Sequence, residues 1–242
     1  MLNEMINKVI CGDCLPILKS LPDKCIDLVL TDPPYGVTAL EWDNDDTDWI
    51  KDILRVIKDK GAIVIFATQP FTSKVIQNYK TYYKHSWVWN KKQSGSFLLA
   101  QYQPLKITED VIVLSWGTPN FYPIMRKGQL RTKGGTSKKS ELYEALGSEQ
   151  TINDDYFPTN IIEISNANKL NRVHPTQKPV ALMEYLIQTY SKPDDLILDP
   201  FLGSGTTAVA CKKLNRRFIG IEISPEYCKI AEQRLKQGVL IF

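Results

Sequence analysis

Two short runs of this 242-residue sequence combine residue types that could do chemistry. The first is Thr31-Asp-Pro-Pro-Tyr-Gly36, directly after the apolar run 26–30. Pro33 and Pro34 fix the backbone and remove two N–H donors, so the carbonyls of Asp32 and Pro33 can face outward unpaired. A carboxylate beside such a carbonyl forms an acceptor pair matched to the two N–H bonds of a planar amino group. Tyr35 adds a flat face on which a base could stack. A rigid proline turn carrying a surface tyrosine is the plainer account of these four residues taken alone.

The second run is Leu196-Ile-Leu-Asp-Pro-Phe-Leu-Gly-Ser-Gly-Thr-Thr207, which reads as a strand, a glycine turn and a helix start. Gly203 and Gly205 let the chain bend tightly and approach a ligand, and a helix opening at Thr206 favours an anionic group. The next apolar run, 217–221, ends in Glu222. A carboxylate at that strand end is where a doubly wound fold hydrogen-bonds ribose hydroxyls. Gly203, Gly205, Thr206 and Glu222 are thus candidates for holding an adenosine-bearing cofactor. Neither a full dinucleotide pattern nor the Lys-Ser/Thr ending of a phosphate loop is present.

Positioning these runs requires alternating strands and helices. Apolar runs at 8–11, 26–31, 62–67, 86–89, 110–115, 196–198 and 217–221 read as seven buried strands, and helical patterns fill 47–58, 71–79, 180–190, 206–214 and 225–236. The last helix carries Ser224 as N-cap and Pro225 at its first position. The expectation is an α/β fold with a mostly parallel sheet covered on both faces. Between 118 and 171 the pattern fails, and an inserted, irregular region is expected there. From Arg126 to Lys139 it carries six basic residues and no acidic one, Arg126, Lys127, Arg131, Lys133, Lys138 and Lys139, and Glu141, Glu144, Glu149, Asp154 and Asp155 follow.

The net charge of +3 permits nucleic-acid binding without requiring it. No apolar run approaches the roughly 20 residues of a membrane span, and the start of the chain lacks the plan of a signal peptide. Five cysteines, an odd number, argue against a disulfide framework and for a reducing cytoplasm. Cys11-x-x-Cys14 has no second cysteine pair, and the chain has two histidines, His85 and His174, so no metal site is expected.

Asp32-Pro33-Pro34-Tyr35 resembles the catalytic motif of the amino-methyltransferases that act on exocyclic amines of DNA bases. Asp199-Pro-Phe-Leu-Gly-Ser-Gly205 resembles their S-adenosylmethionine motif, and His174-Pro-Thr-Gln-Lys-Pro179 is similar to the motif that precedes it. Their order, catalytic motif first, is that of the β class, and the resemblance spans nearly the whole chain. It implies a Rossmann-like, seven-stranded methyltransferase sheet, circularly permuted, divided into a catalytic half (1–117), an inserted target-recognition region (118–171) and a cofactor-binding half (172–242). It further implies that Asp13 contacts the cofactor adenine, that Asp32 borders the cofactor, that Lys178 approaches the methionine carboxylate, and that Phe201 packs on the adenine. Trp42, Trp87 and Trp89 read as packing or loop aromatics.

Asp at the head of the first motif is commoner in the adenine-N6 enzymes of this family than in those acting on cytosine N4. The resemblance therefore implies methyl transfer from S-adenosylmethionine to the N6 amino group of an adenine flipped out of double-stranded DNA, with cytosine N4 as the alternative. An inactive DNA-binding relative is the third reading, against which the intact Asp32, Tyr35, Gly203 and Gly205 argue. The six basic residues would contact DNA, and a homodimer and a cognate restriction endonuclease are left open as partners.

Overall fold

A computed structural model describes residues 2–35, 47–94, 97–135, 148–166 and 177–237. Gly36, Trp42, Lys138, Lys139 and residues 174–176 of the histidine-proline motif lie outside the described residues.

In chain order the elements are α1 (Leu2–Met5), β1 (Lys8–Cys11), α2 (Cys14–Ser20), β2 (Ile26–Thr31), α3 (Trp49–Val56), β3 (Ile57–Ala67), α4 (Phe71–Asn78), β4 (Tyr83–Asn90) and β5 (Thr108–Leu114). There follow β6 (Arg126–Gly135), β7 (Ser148–Tyr156), β8 (Ile161–Glu163), α5 (Val180–Tyr190), β9 (Leu196–Asp199), α6 (Thr206–Lys213), β10 (Arg217–Glu222) and α7 (Pro225–Lys236). One sheet takes eight strands in the order β1-β10-β9-β2-β3-β5-β4-β8. Pairing is parallel from β1 through β3, antiparallel on both sides of β5, and parallel again between β4 and β8.

Side chains alternate across the strands, so each strand serves two cores. Val29, Ile63 and Ile65 face Leu18, Ile50, Ile53, Phe71 and Val75 from α2, α3 and α4. Leu28, Leu30, Val64 and Phe66 face Leu182, Leu186, Ala208, Ala210 and Ala231 from α5, α6 and α7. Strands buried on both faces need near-continuous apolar runs, which is why Leu196–Asp199 and Ile26–Thr31 carry them. The seven expected strands are all present, and an eighth joins them. Ile161–Glu163 pairs with β4 although Ile162 alone of its three residues is buried, too short a run to show a period.

The chain divides into two compact units, residues 1–122 with 160–242, and residues 123–159. The second unit holds an antiparallel ribbon, β6 on β7, with Arg126 opposite Tyr156 and Lys127 opposite Asp155. This ribbon overturns the expectation of an irregular stretch. Its exposed Leu130 and Ile152 show why it escaped notice, since no apolar face alternates with a polar one.

Candidate active site

The C-terminal ends of the parallel strands converge on a cavity of about 350 Å³, whose wall includes Gly12, Asp13, Asp32, Pro34, Trp49 and Gly203. Outside the carboxyl ends of its strands is where an open α/β sheet binds ligands. Asp32 follows β2, Asp199 ends β9, Glu222 ends β10, and Asp13 stands two residues beyond β1. The two candidate runs are joined directly, because Thr31 donates its hydroxyl to Asp199 Oδ1 at 2.8 Å.

Asp199 is turned inward. Its carboxylate also accepts from Thr207 Oγ1 at 2.5 Å and from the Phe201 N–H at 3.1 Å. Burial raises its pKa to about 7, against the lowering effect of those three donors. It reaches the cavity wall, and its hydrogen bonds clamp β2, the glycine turn and α6 together.

The two glycines of the turn have different surroundings. Gly203 sits at φ 55° and a Cβ there would meet nothing within 4 Å, which leaves an open backbone edge on the cavity. Gly205, at φ 85°, does not line the cavity. A Cβ there would fall 2.7 Å from Ala231 Cβ, so its glycine serves the contact between α6 and α7. Ser204 and Thr206 border the cavity, but Arg234 from α7 reaches the Ser204 carbonyl at 2.6 Å, the Ser204 hydroxyl at 3.0 Å and the Thr206 hydroxyl at 3.2 Å. Nothing in the sequence marked Arg234, whose place on an amphipathic helix resembles that of any solvated arginine.

Glu222 faces the cavity and accepts from the Gly203 N–H and the Ser224 N–H, each at 2.8 Å, one on each carboxylate oxygen. Each oxygen keeps a lone pair for a ligand hydroxyl. Asp13 caps α2 by accepting from the Leu15 N–H at 3.0 Å, with its side chain at the same wall. Phe201 meets Trp49 edge to face with ring centroids 5.1 Å apart, and both line the cavity. Trp49 was not singled out from sequence, because a tryptophan opening an apolar helix looks like core.

At the same cavity Asp32 accepts from Tyr35 through one oxygen, and its other oxygen lies 2.5 Å from Lys178 Nζ. Lys178 is buried, 5.0 Å above the Phe66 ring, and its Nζ is also 3.4 Å from Glu109. Burial would lower its pKa, but Asp32 and Glu109 outweigh that and raise it, so the ammonium stays charged. Lys178 therefore reaches the cavity tethered to the catalytic-motif carboxylate. Pro33 is buried, Pro34 lines the cavity, and the Tyr35 ring rests 5.5 Å from Phe71.

The expected DNA-contacting residues lie on the ribbon where described. Arg126 donates to the Phe157 carbonyl at 3.3 Å, and Arg131 stacks its guanidinium 3.7 Å over the Tyr156 ring. Lys127 pairs with Asp154 at 3.0 Å and Asp155 at 2.9 Å, so its charge is balanced within the ribbon. Lys133 belongs to β6, and Lys138 and Lys139 fall outside the described residues.

The arrangement suits an adenosine-bearing ligand. It offers a carboxylate for ribose hydroxyls, an open glycine edge, aromatic walls and a volume within the range of small-molecule sites. Residues 26–233 match the protein-family profile described as DNA methylase, of the N6/N4 type. Type II methyltransferase M.HpaI of Haemophilus parainfluenzae is 31% identical over 248 aligned residues, which cover 96% of this chain and 74% of that protein. The crystal structure of M1.HpyAVI in complex with SAM superposes with a TM-score of 0.65 at 26% identity, covering 94% of this chain and 98% of the other. The cytosine-N4-specific PvuII DNA methyltransferase shares the fold, with a TM-score of 0.68 at 20% identity over 97% of this chain and 87% of its own.

Proposed function

Because the chain belongs to the N6/N4 DNA methylase family, we propose that it moves a methyl group from S-adenosylmethionine to the N6 amino group of an adenine flipped out of duplex DNA. One observation carries the reading. Asp32, at the head of the catalytic motif, shares a cavity wall with Glu222 and the Gly203 edge, so an amino-group acceptor faces an adenosine site.

Glu222 would accept from the ribose hydroxyls, Phe201 and Trp49 would pack the cofactor adenine, and Asp13 would border it. When bound, S-adenosylmethionine supplies an electrophilic methyl group. An exocyclic amino nitrogen is a poor nucleophile, because its lone pair is delocalised into the ring. Accepting its two N–H bonds on Asp32 and the Pro33 carbonyl favours a pyramidal nitrogen with the lone pair free. The Asp32 carboxylate then stabilises the positive charge that develops there. The base must leave the stack, at a cost of a few kcal/mol. Tyr35 would return part of that by stacking, about 1–3 kcal/mol.

Asp32 rather than Ser at the head of the motif favours adenine over cytosine. The same reading takes the chain as a circular permutation, supported by the parallel pairing of its first strand, β1, with its last, β10. Digesting methylated duplex DNA to nucleosides and identifying the product by mass spectrometry tests the assignment. N6-methyladenine is expected, and N4-methylcytosine alone would overturn it.

A further inference from the structure

Lys178 lies between two carboxylates, and one of them is outside both candidate motifs. Its Nζ is 2.5 Å from Asp32 Oδ2 and 3.4 Å from Glu109 Oε2. Glu109 stands near the start of β5, and its other oxygen is 3.0 Å from Lys91 Nζ. Lys91, Glu109, Lys178 and Asp32 thus form a row of alternating charge. The first three side chains are 15, 18 and 9% exposed, so solvent screens them weakly. Burial would raise the Glu109 pKa, but Lys178 and Lys91 outweigh it and hold it below the usual range. Glu109 Oε2 is nonetheless buried without a hydrogen bond of good geometry. A buried acceptor aimed at an ammonium that is bonded elsewhere needs a reason.

We propose that Glu109 is a positioning residue for methyl transfer, an alternate acceptor onto which the Lys178 ammonium moves so that Asp32 is released to the target amino group. The inference rests on the reading of Asp32 given above. In the resting geometry Lys178 occupies an Asp32 oxygen that the target needs. As the amino nitrogen becomes cationic beside Asp32, an ammonium held on the same carboxylate would oppose it. Lysine carries three donors on a flexible stem, so it can exchange acceptors without leaving a buried charge unpaired. Lys91 keeps Glu109 ionised and in place for that exchange.

Glu109→Gln preserves shape and an acceptor oxygen but removes the charge. It should lower kcat for methyl transfer by about 10- to 100-fold, the loss of one charge-assisted hydrogen bond. The Tm should fall, because Lys91 and Lys178 lose a largely buried counter-charge, but cofactor and DNA Kd should stay near wild type, a confinement of the functional loss to kcat that a purely structural role would not give. In a Lys178→Met background the same substitution should change kcat little further, because the two residues act as a unit. A wild-type kcat for Glu109→Gln, or an equal loss with and without Lys178, would overturn the role of Glu109. Asp32→Asn, assayed alongside, separates the two levels. If it is inactive while Glu109→Gln is wild-type-like, the Glu109 role alone falls; if it retains transfer, the Asp32 reading falls and takes the Glu109 role with it.

Discussion

Asp199 and Asp32 lie on one cavity wall and are neutralised by different means. Asp32 meets the ammonium of Lys178, whereas Asp199 has only neutral donors, Thr31, Thr207 and the Phe201 N–H, on its oxygens. Neutral donors do not offset full burial, and the Asp199 pKa rises from the ordinary carboxylate range to about 7. The folded state thus holds this proton more tightly than the unfolded chain. Its contribution to stability is complete below about pH 4 and is lost as pH rises through 7. Thermal melts from pH 4 to 8 should show wild type losing stability relative to Asp199→Asn as pH rises. A difference that stays constant across that range would contradict the shift. Asp32→Asn should abolish methyl transfer while leaving cofactor affinity intact, because Asp32 acts on the target amine. Glu222→Ala should weaken cofactor binding by about 1.5–3 kcal/mol, the value of hydrogen bonds to a charged group. It should also lower the Tm, since the Gly203 and Ser224 N–H groups lose their acceptor. Calorimetry showing equal losses of cofactor affinity in the two variants would contradict this division.

Among the elements, the turn between β9 and α6 is the most constrained, and Gly205 is its tightest point. A side chain there faces a left-handed backbone penalty of about 1–2 kcal/mol and a collision with Ala231. Gly205→Ala should therefore lower stability by about 2 kcal/mol or more. Adding Ala231→Gly should restore the part due to the collision and leave the backbone part. Chemical denaturation of the single and double variants reads both, and no recovery in the double would refute the packing role. Much of this architecture is legible in the sequence, because a strand buried on both faces must be an unbroken apolar run and a left-handed turn calls for glycine. The end of α7 is less so. The Ser224 cap and Pro225 announce its start, yet the reach of Arg234 back to Ser204 and Thr206 depends on how two helices pack. The partnership of Glu109 with Lys178 joins residues 69 apart in the chain across two elements that no local pattern connects. Strand β8 and the ribbon are illegible for a third reason, because neither has an apolar face for a period to reveal.

At the scale of the molecule, the residues proposed for catalysis and cofactor binding fall within one unit, while Arg126, Lys127, Arg131 and Lys133 belong to the other, on strand β6 of its two-stranded ribbon. If that ribbon meets the DNA backbone, its lysines release counterions, and log affinity falls with log salt by about 0.9 for each phosphate contact. The ribbon's own charges decide which residues contribute. Lys127 is already balanced by Asp154 and Asp155, so Lys127→Gln should leave DNA affinity and its salt slope nearly unchanged. Lys133, Lys138 and Lys139 come before the acidic residues in the chain, and replacing all three with glutamine should weaken binding and flatten the slope by about 2–3, with cofactor affinity unaffected. Arg131 lies flat on Tyr156, which fixes its planar fork and lowers the entropy lost on contact. Arg131→Lys keeps the charge and loses the fork, so it should spare nonspecific binding but reduce discrimination between cognate and noncognate duplexes by about 1–3 kcal/mol. Fluorescence anisotropy over a salt series with both duplexes measures all three effects. A triple variant with the wild-type slope would remove the ribbon from the DNA interface, and an equal loss on both duplexes for Arg131→Lys would reassign that arginine from base reading to phosphate contact.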